Sequence, residues 1–302
     1  MYDFFNPEGS LGQTITIIGV SWQYWLGVLI SLFSIASLFV FKKFYARVAH
    51  HRYLLMSLGI FQIILYVVYY LLHFIYLYGL GLKGDNLRGW TWIVPLHVSS
   101  ITQILSGFLL IKPNSKIFSI TAPWVVLMVF ASIIMPADKS YGPQHFSYWS
   151  YYIIHIIIIF TYWYLYMYGF VKYERKYLLW SFIGFILFSL LALTWNTFSI
   201  PIHSISQEIT NLLFIGKLGY PLTKEITTAN IWDKSGRLWA LGYLPIVFLA
   251  LIFIAISHCL ISRVQPYYVQ ENGKLVAIKR RKHRWDVKAF KDMWKNIGAI
   301  FN

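Results

Sequence analysis

Long apolar runs, broken by short intervals of charge, proline or glycine, set the pattern of this chain. Seven runs approach or exceed the roughly 18 to 20 residues a helix needs to cross a bilayer. They cover about 16–41, 53–79, 92–111, 117–135, 147–170, 178–196 and 238–261. None shows the strict alternation of a half-buried strand. The pattern therefore predicts an all-α polytopic membrane protein of about seven transmembrane helices.

Composition agrees with that reading. The chain is 58% hydrophobic, 20% aromatic and only 12% charged, which excludes an ordinary soluble domain. The opening MYDFFNPEGS lacks the basic start of a cleaved signal, so the first run is expected to be retained. The single cysteine, Cys259, excludes an internal disulfide and a clustered-cysteine zinc site, and is expected to be an inert thiol at a helix end.

Charge sets the orientation. Lys42, Lys43, Arg47 and Arg52 lie between runs one and two, Lys112 and Lys116 between three and four, and Lys172, Arg175 and Lys176 between five and six. The positive-inside rule then predicts an N-terminus outside and a C-terminus in the cytoplasm. A membrane domain over 1–264 is followed by a basic cytoplasmic tail over 265–302. Within it, Asn272-Gly273 between 268–270 and 275–278 predicts a hairpin. Five basic residues, Lys279 to Lys282 and Arg284, then precede Val287, Phe290, Trp294, Ile297 and Phe301, which share one helical face. An interfacial helix held to anionic inner-leaflet lipids is expected there, since a basic run beside a membrane meets headgroups before nucleic acid. The segment 201–237 is too long for a plain connection and contains a short amphipathic stretch, SISQEITNLLFIG.

Ionisable side chains inside membrane runs are costly and mark candidate sites. His97 falls five residues inside the third run and His155 eight inside the fifth, about 7 and 12 Å below their outer ends. His73 approaches the same level from the second run. Asn196 closes the sixth run on that side, and His145 precedes the fifth. Along the third run Ser100 neighbours His97, whereas Ser99, Gln103 and Ser106 share the other side. No Asp or Glu lies in any of the runs, so a Ser-His-Asp triad is not available. A histidine-led acyl transfer is: one imidazole deprotonates Ser100, Ser99 or a lipid hydroxyl, and another stabilises the oxyanion or protonates the leaving oxygen. Serines in membrane helices also bond their own i−4 carbonyl or join two helices, which competes with a nucleophilic role for each.

The segments VPLHVSS (94–100) and HFSYWSYYIIHIIIIF (145–160) resemble the two signature regions of YwaF-type integral membrane proteins. Eukaryotic relatives of that family include transmembrane phospholipid acyltransferases. The resemblance implies lipid acyl transfer with membrane phospholipids as substrates. It also implies that His97 and His155 are the paired functional histidines, with His145, Phe146 and Trp149 around the second. TNLLFIGK (210–217) adds Asn211 by the same resemblance. Family members often carry a cysteine close to the first histidine, where this chain has Leu96, Val98 and Ser99.

The expected function is therefore a membrane lipid acyltransferase or acyl hydrolase needing no cofactor. Its expected catalytic residues are His97, His155, Ser100 and Ser99, and His145, His73, Gln103, Trp149, Asn196 and Asn211 are expected to line the substrate. Two alternatives compete. Zinc held by His73, His97 and His155 makes a hydrolytic site. A solute-binding or transport protein instead needs its polar path to continue inward through Gln103, Ser106 and Gln62.

Overall fold

The computed structural model describes residues 21–74, 97–135, 142–199, 243–271 and 274–278. Helices occupy all seven apolar runs: α1 (Trp22–Val40), α3 (Arg52–Phe74), α4 (Val98–Ile111), the pair α5 (Ser115–Trp124) and α6 (Phe130–Ile134), α7 (Phe146–Met167), α8 (Leu178–Ser199) and α9 (Tyr243–Arg263). A short helix α2 (Lys42–Val48) fills the first connection. Five helical stretches are long and apolar enough to cross a membrane, while Val98–Ile111 and Val247–Arg263 are apolar but shorter. The chain is an all-α polytopic protein. Its burial is inverted relative to a soluble fold: Phe33 and Leu187 are 72% and 61% exposed, whereas Gln62 and Gln103 are 4% and 3% exposed. Lipid tails are as apolar as leucine, so the polar groups are the ones that gain from the interior.

The central helix is α7, against which α1, α4 and α6 pack. Glycines set two of the closest approaches. A Cβ at Gly59 on α3 would lie 2.6 Å from the Gly107 carbonyl on α4, and one at Gly107 would lie 2.8 Å from the Gly59 carbonyl. On α1, a Cβ at Gly27 would lie 2.2 Å from the Tyr152 ring of α7. Small residues here let helix axes approach until dispersion and weak polar contacts hold them.

The fourth run is not one helix. Pro123 cannot donate to the Ser119 carbonyl, and one residue beyond Trp124 the chain widens into a π-turn, Val125–Val129, before α6 resumes. Trp124 at the break donates through Nε1 to Ser181 Oγ on α8 at 3.0 Å and to its carbonyl at 3.2 Å.

The basic residues gather at one end of the bundle, where the helices are capped. Arg52 donates through Nη1 to the Leu110 carbonyl at 2.7 Å and through Nη2 to that of Ile111, placing a cation on the negative end of α4. Asn114 Oδ1 accepts from the amides of Lys116 and Ile117, capping α5. Ser119 Oγ donates to the Lys172 carbonyl and accepts from the Glu174 amide, tying α5 to the α7–α8 connection. Helix α7 ends with Gly169 at φ +73°, and Phe170 and Gly169 donate back to the Leu165 and Tyr166 carbonyls.

The expected hairpin is present as β1 (Tyr268–Glu271) and β2 (Lys274–Ala277), in antiparallel register with Glu271 opposite Lys274. It lies against the end of α7. The Tyr267 amide donates to the Met167 carbonyl at 2.9 Å, the rings of Tyr168 and Tyr268 stack at 5.6 Å, and Lys42 Nζ sits 4.2 Å from the centre of the Tyr267 ring. The turn residues Asn272-Gly273, the segment 201–237 and the basic run from Lys279 onward lie outside the described residues.

Candidate functional site

Two contacts pin α7 antiparallel to the broken helix. Tyr151 Oη donates to the Ser132 carbonyl on α6 at 2.5 Å, and Tyr162 Oη and Thr121 Oγ1 on α5 are 2.7 Å apart. Tyr151, His155 and Tyr162 are four and seven residues apart, so they share one face of α7. His155 therefore stands between the two anchors, level with the π-turn.

His155 is 5% exposed, and its ring lies 4.2 Å from that of Tyr151. Its Nδ1 is 2.6 Å from the Tyr151 carbonyl. A carbonyl only accepts, so that bond is made by Nδ1–H, and Nε2 keeps the basic lone pair. The local reason is plain: one turn earlier on a membrane helix, the i−4 carbonyl is the nearest acceptor for a side chain surrounded by apolar residues.

The N-terminal turn of α4 comes to the same region, because the π-turn packs against both α4 and α7. Val98 packs against both the main core cluster and the smaller one around Trp124, Phe185 and Ile254. His97 does not sit inside the helix, as its spacing suggested. It is the N-cap, with φ −95° and ψ 147°, and its carbonyl accepts from the Ile101 amide at 3.0 Å. An N-cap has extended backbone, so the helical angles counted from a start near residue 92 do not apply to its side chain. Ser99 and Ser100 occupy the first turn, half-buried and buried respectively. His97 lies about 22 Å, and His155 about 18 Å, from the basic ends of their helices at 1.5 Å per residue.

His145 is buried immediately before α7, its amide bonded to the Gly142 carbonyl at 3.0 Å. Trp149 Nε1 donates to the Pro143 carbonyl at 2.5 Å, and Phe146 lies 6.4 Å from the Tyr69 ring of α3. His73 and Asn196 belong to α3 and α8, but their side chains lie outside the described residues, as does Asn211 altogether. Among the described residues no group of three His, Cys, Asp or Glu could hold a metal ion.

Gln103 is drawn elsewhere. Its Nε2 donates to the Gln62 carbonyl at 3.2 Å, Ser106 Oγ donates to Gln62 Oε1 at 2.6 Å, and Gln62 Nε2 donates to Thr161 Oγ1 at 2.9 Å. Three helices, α3, α4 and α7, are joined by this buried cluster. Gln103 and Ser106 share a face as their spacing implied, and that face is interhelical glue, meeting α7 at Thr161, six residues beyond His155.

One buried imidazole was not singled out from the sequence. His258 on α9 is 5% exposed, and Tyr173 Oη is 2.6 Å from its Nδ1. Arg175 Nη2 donates to the Ser262 carbonyl one turn further on. The signal was an imidazole five residues before Arg263 in an apolar run, and a search confined to the outer halves passes over it.

No curated protein and no solved structure matches the chain. The sequence model of the TMEM164 family matches residues 19–262, from just before α1 to the last turn of α9. That match takes in every helix that builds the region around His155 and stops short of the hairpin. On this coverage, the chain belongs to the TMEM164 family, a family of transmembrane proteins.

Proposed function

We propose that the protein transfers or hydrolyses lipid acyl groups, with His155 as the general base. The observation that carries this reading is the Nδ1 hydrogen bond to the Tyr151 carbonyl, which selects the tautomer that presents a basic Nε2 inside the membrane interior. The likeness of VPLHVSS and HFSYWSYYIIHIIIIF to YwaF-type proteins, with their acyltransferase relatives, supports the same chemistry.

In the proposed step, Nε2 takes the proton of an attacking hydroxyl, from Ser100, Ser99 or the acceptor lipid. The oxygen bonds to the ester carbonyl carbon of the donor phospholipid, and negative charge develops on the carbonyl oxygen near the first-turn amides of α4. Collapse breaks the ester bond, and the imidazolium returns its proton to the departing lysolipid oxygen. If a serine attacked, the acyl-enzyme passes to an acceptor hydroxyl or water by the same sequence in reverse. His97, His145 and Trp149 line the approach in this scheme. The basic end faces the cytoplasm, so substrate enters from the outer leaflet. A solute path would instead need Gln62, Gln103 and Ser106 free to line it, and these groups are bonded to one another.

The test is purified protein in nanodiscs with phospholipid carrying a labelled acyl chain and a panel of lysolipid and lipoprotein acceptors, read by mass spectrometry. Label transfer or free fatty acid is expected, and His155→Ala is expected to abolish it while leaving the unfolding midpoint near wild type. Equal turnover in His155→Ala would remove the imidazole from the mechanism. Loss in Ser100→Ala with retention in Ser99→Ala would assign the nucleophile.

A further inference from the structure

The hydroxyls of Tyr24 on α1 and of Tyr148, Tyr151 and Tyr162 on α7 all have partners. Tyr24 Oη donates to the Ile134 carbonyl at 2.9 Å, Tyr148 Oη to the Gln23 carbonyl at 2.5 Å, Tyr151 Oη to the Ser132 carbonyl, and Tyr162 Oη pairs with Thr121. Tyr152 is the exception. Its side chain is 2% exposed and its hydroxyl has no hydrogen-bond partner among the described residues. A buried hydroxyl left unsatisfied costs about 1–3 kcal/mol, so its retention asks for an explanation that a phenylalanine would not meet.

Its position supplies one. Tyr152 precedes His155 by three residues, about 4.5 Å along the axis and about 60° around it. Tyr148 and Tyr152 face α1 while Tyr151 faces α6, so His155 lies between those two directions on the same arc of α7. The ring of Tyr152 is seated in the notch left by Gly27, where any Cβ would strike it at 2.2 Å. The ring is held, its hydroxyl is uncommitted and shielded, and the proposed base is one turn away.

We infer that the Tyr152 hydroxyl is the side-chain oxyanion donor of the site, hydrogen-bonding the carbonyl oxygen of the lipid ester that reacts at His155. This rests on the acyl-transfer reading above. The phenol keeps its proton throughout: it donates to the carbonyl in the ground state and more strongly to the tetrahedral oxyanion, in a dry setting where such a bond has its largest effect.

Tyr152→Phe removes only the oxygen. Because that oxygen bonds nothing among the described residues, the unfolding midpoint in detergent should be unchanged or slightly raised. By contrast kcat should fall about 100-fold or more with little change in KM, as for loss of one oxyanion donor. Tyr148→Phe, which breaks a satisfied bond to α1, should do the reverse: a lower midpoint and near-wild-type kcat. A Tyr152→Phe enzyme with kcat within about threefold of wild type overturns the assignment. If the wild-type protein itself shows no turnover, the acyl-transfer reading fails, and the hydrogen bond is judged without it. Delipidated protein is given one equivalent of phosphatidylcholine labelled with carbon-13 at its ester carbonyls, and the infrared carbonyl band is compared. A down-shifted component present in wild type and in His155→Ala, but lost in Tyr152→Phe, upholds the contact. Identical spectra in all three reject it.

Discussion

His155 donates through Nδ1 to a backbone carbonyl, while the Nδ1 of His258 is hydrogen-bonded to the Tyr173 hydroxyl. The first leaves a basic nitrogen for chemistry; the second holds the α7–α8 connection to α9. Tyr173→Phe should therefore be a stability variant, costing about 1–3 kcal/mol for the nitrogen left unsatisfied. A denaturant titration in mixed micelles would show it, with acyl transfer unaffected. The Gln62 cluster belongs to the same scale. Gln62→Ala removes the side-chain partner of both Ser106 and Thr161, while its backbone carbonyl still accepts from Gln103. Its loss should exceed the roughly 0.6 kcal/mol average of a single membrane hydrogen bond, and Gln62→Ala with Thr161→Val should be less than additive. Additive losses would show that Gln62 and Thr161 are not coupled.

At the scale of elements, close helix crossings and one helix break position the candidate site. Gly59 and Gly107 bring α3 and α4 into backbone contact, where a side chain meets a carbonyl that cannot move aside. Gly59→Leu should force the pair apart and abolish monodisperse folding, and Gly59→Ala should already lower the unfolding midpoint. A tolerated leucine would contradict that crossing. The break after Pro123 matters differently. By widening the backbone at Val125–Val129 it turns Trp124 to Ser181 on α8 and the following residues to α7, so one segment serves two neighbours. Trp124→Phe keeps the stacking on Phe188 but loses the bond to Ser181. A stability cost of about 1 kcal/mol, measured by thermal unfolding in detergent, is the expected outcome.

For the whole molecule, the hairpin and the basic tail should separate in their effects. The hairpin fills the space beside Gly169 and Tyr168, so ending the chain before Tyr267 should destabilise the bundle. Deleting 286–302 should leave the unfolding midpoint unchanged, and loss of folding on that deletion would place the tail in the core. A peptide of residues 279–302 should bind vesicles containing acidic phospholipid and be released by salt, as expected of an interfacial anchor.

How much of this was legible follows from the range of each interaction. Crossing a membrane depends on the local density of apolar residues, so the seven runs, the polytopic all-α class and the basic end were readable from the chain alone. The hairpin was readable too, because Asn272-Gly273 and its flanks are consecutive. Distance along a helix needs only a residue count, since rise per residue is nearly constant. Direction around a helix was not readable where a boundary or a break intervened: His97 became a cap, and the fourth run, taken as one span, is broken by a π-turn after Trp124. Partners 40 to 100 residues apart were beyond reach. That Gln103 and Ser106 join Gln62, that Tyr173 meets His258, and that the Tyr152 hydroxyl lacks a partner among the described residues were decided only when the helices packed, because a side chain's hydrogen bond depends on which helix stands opposite it.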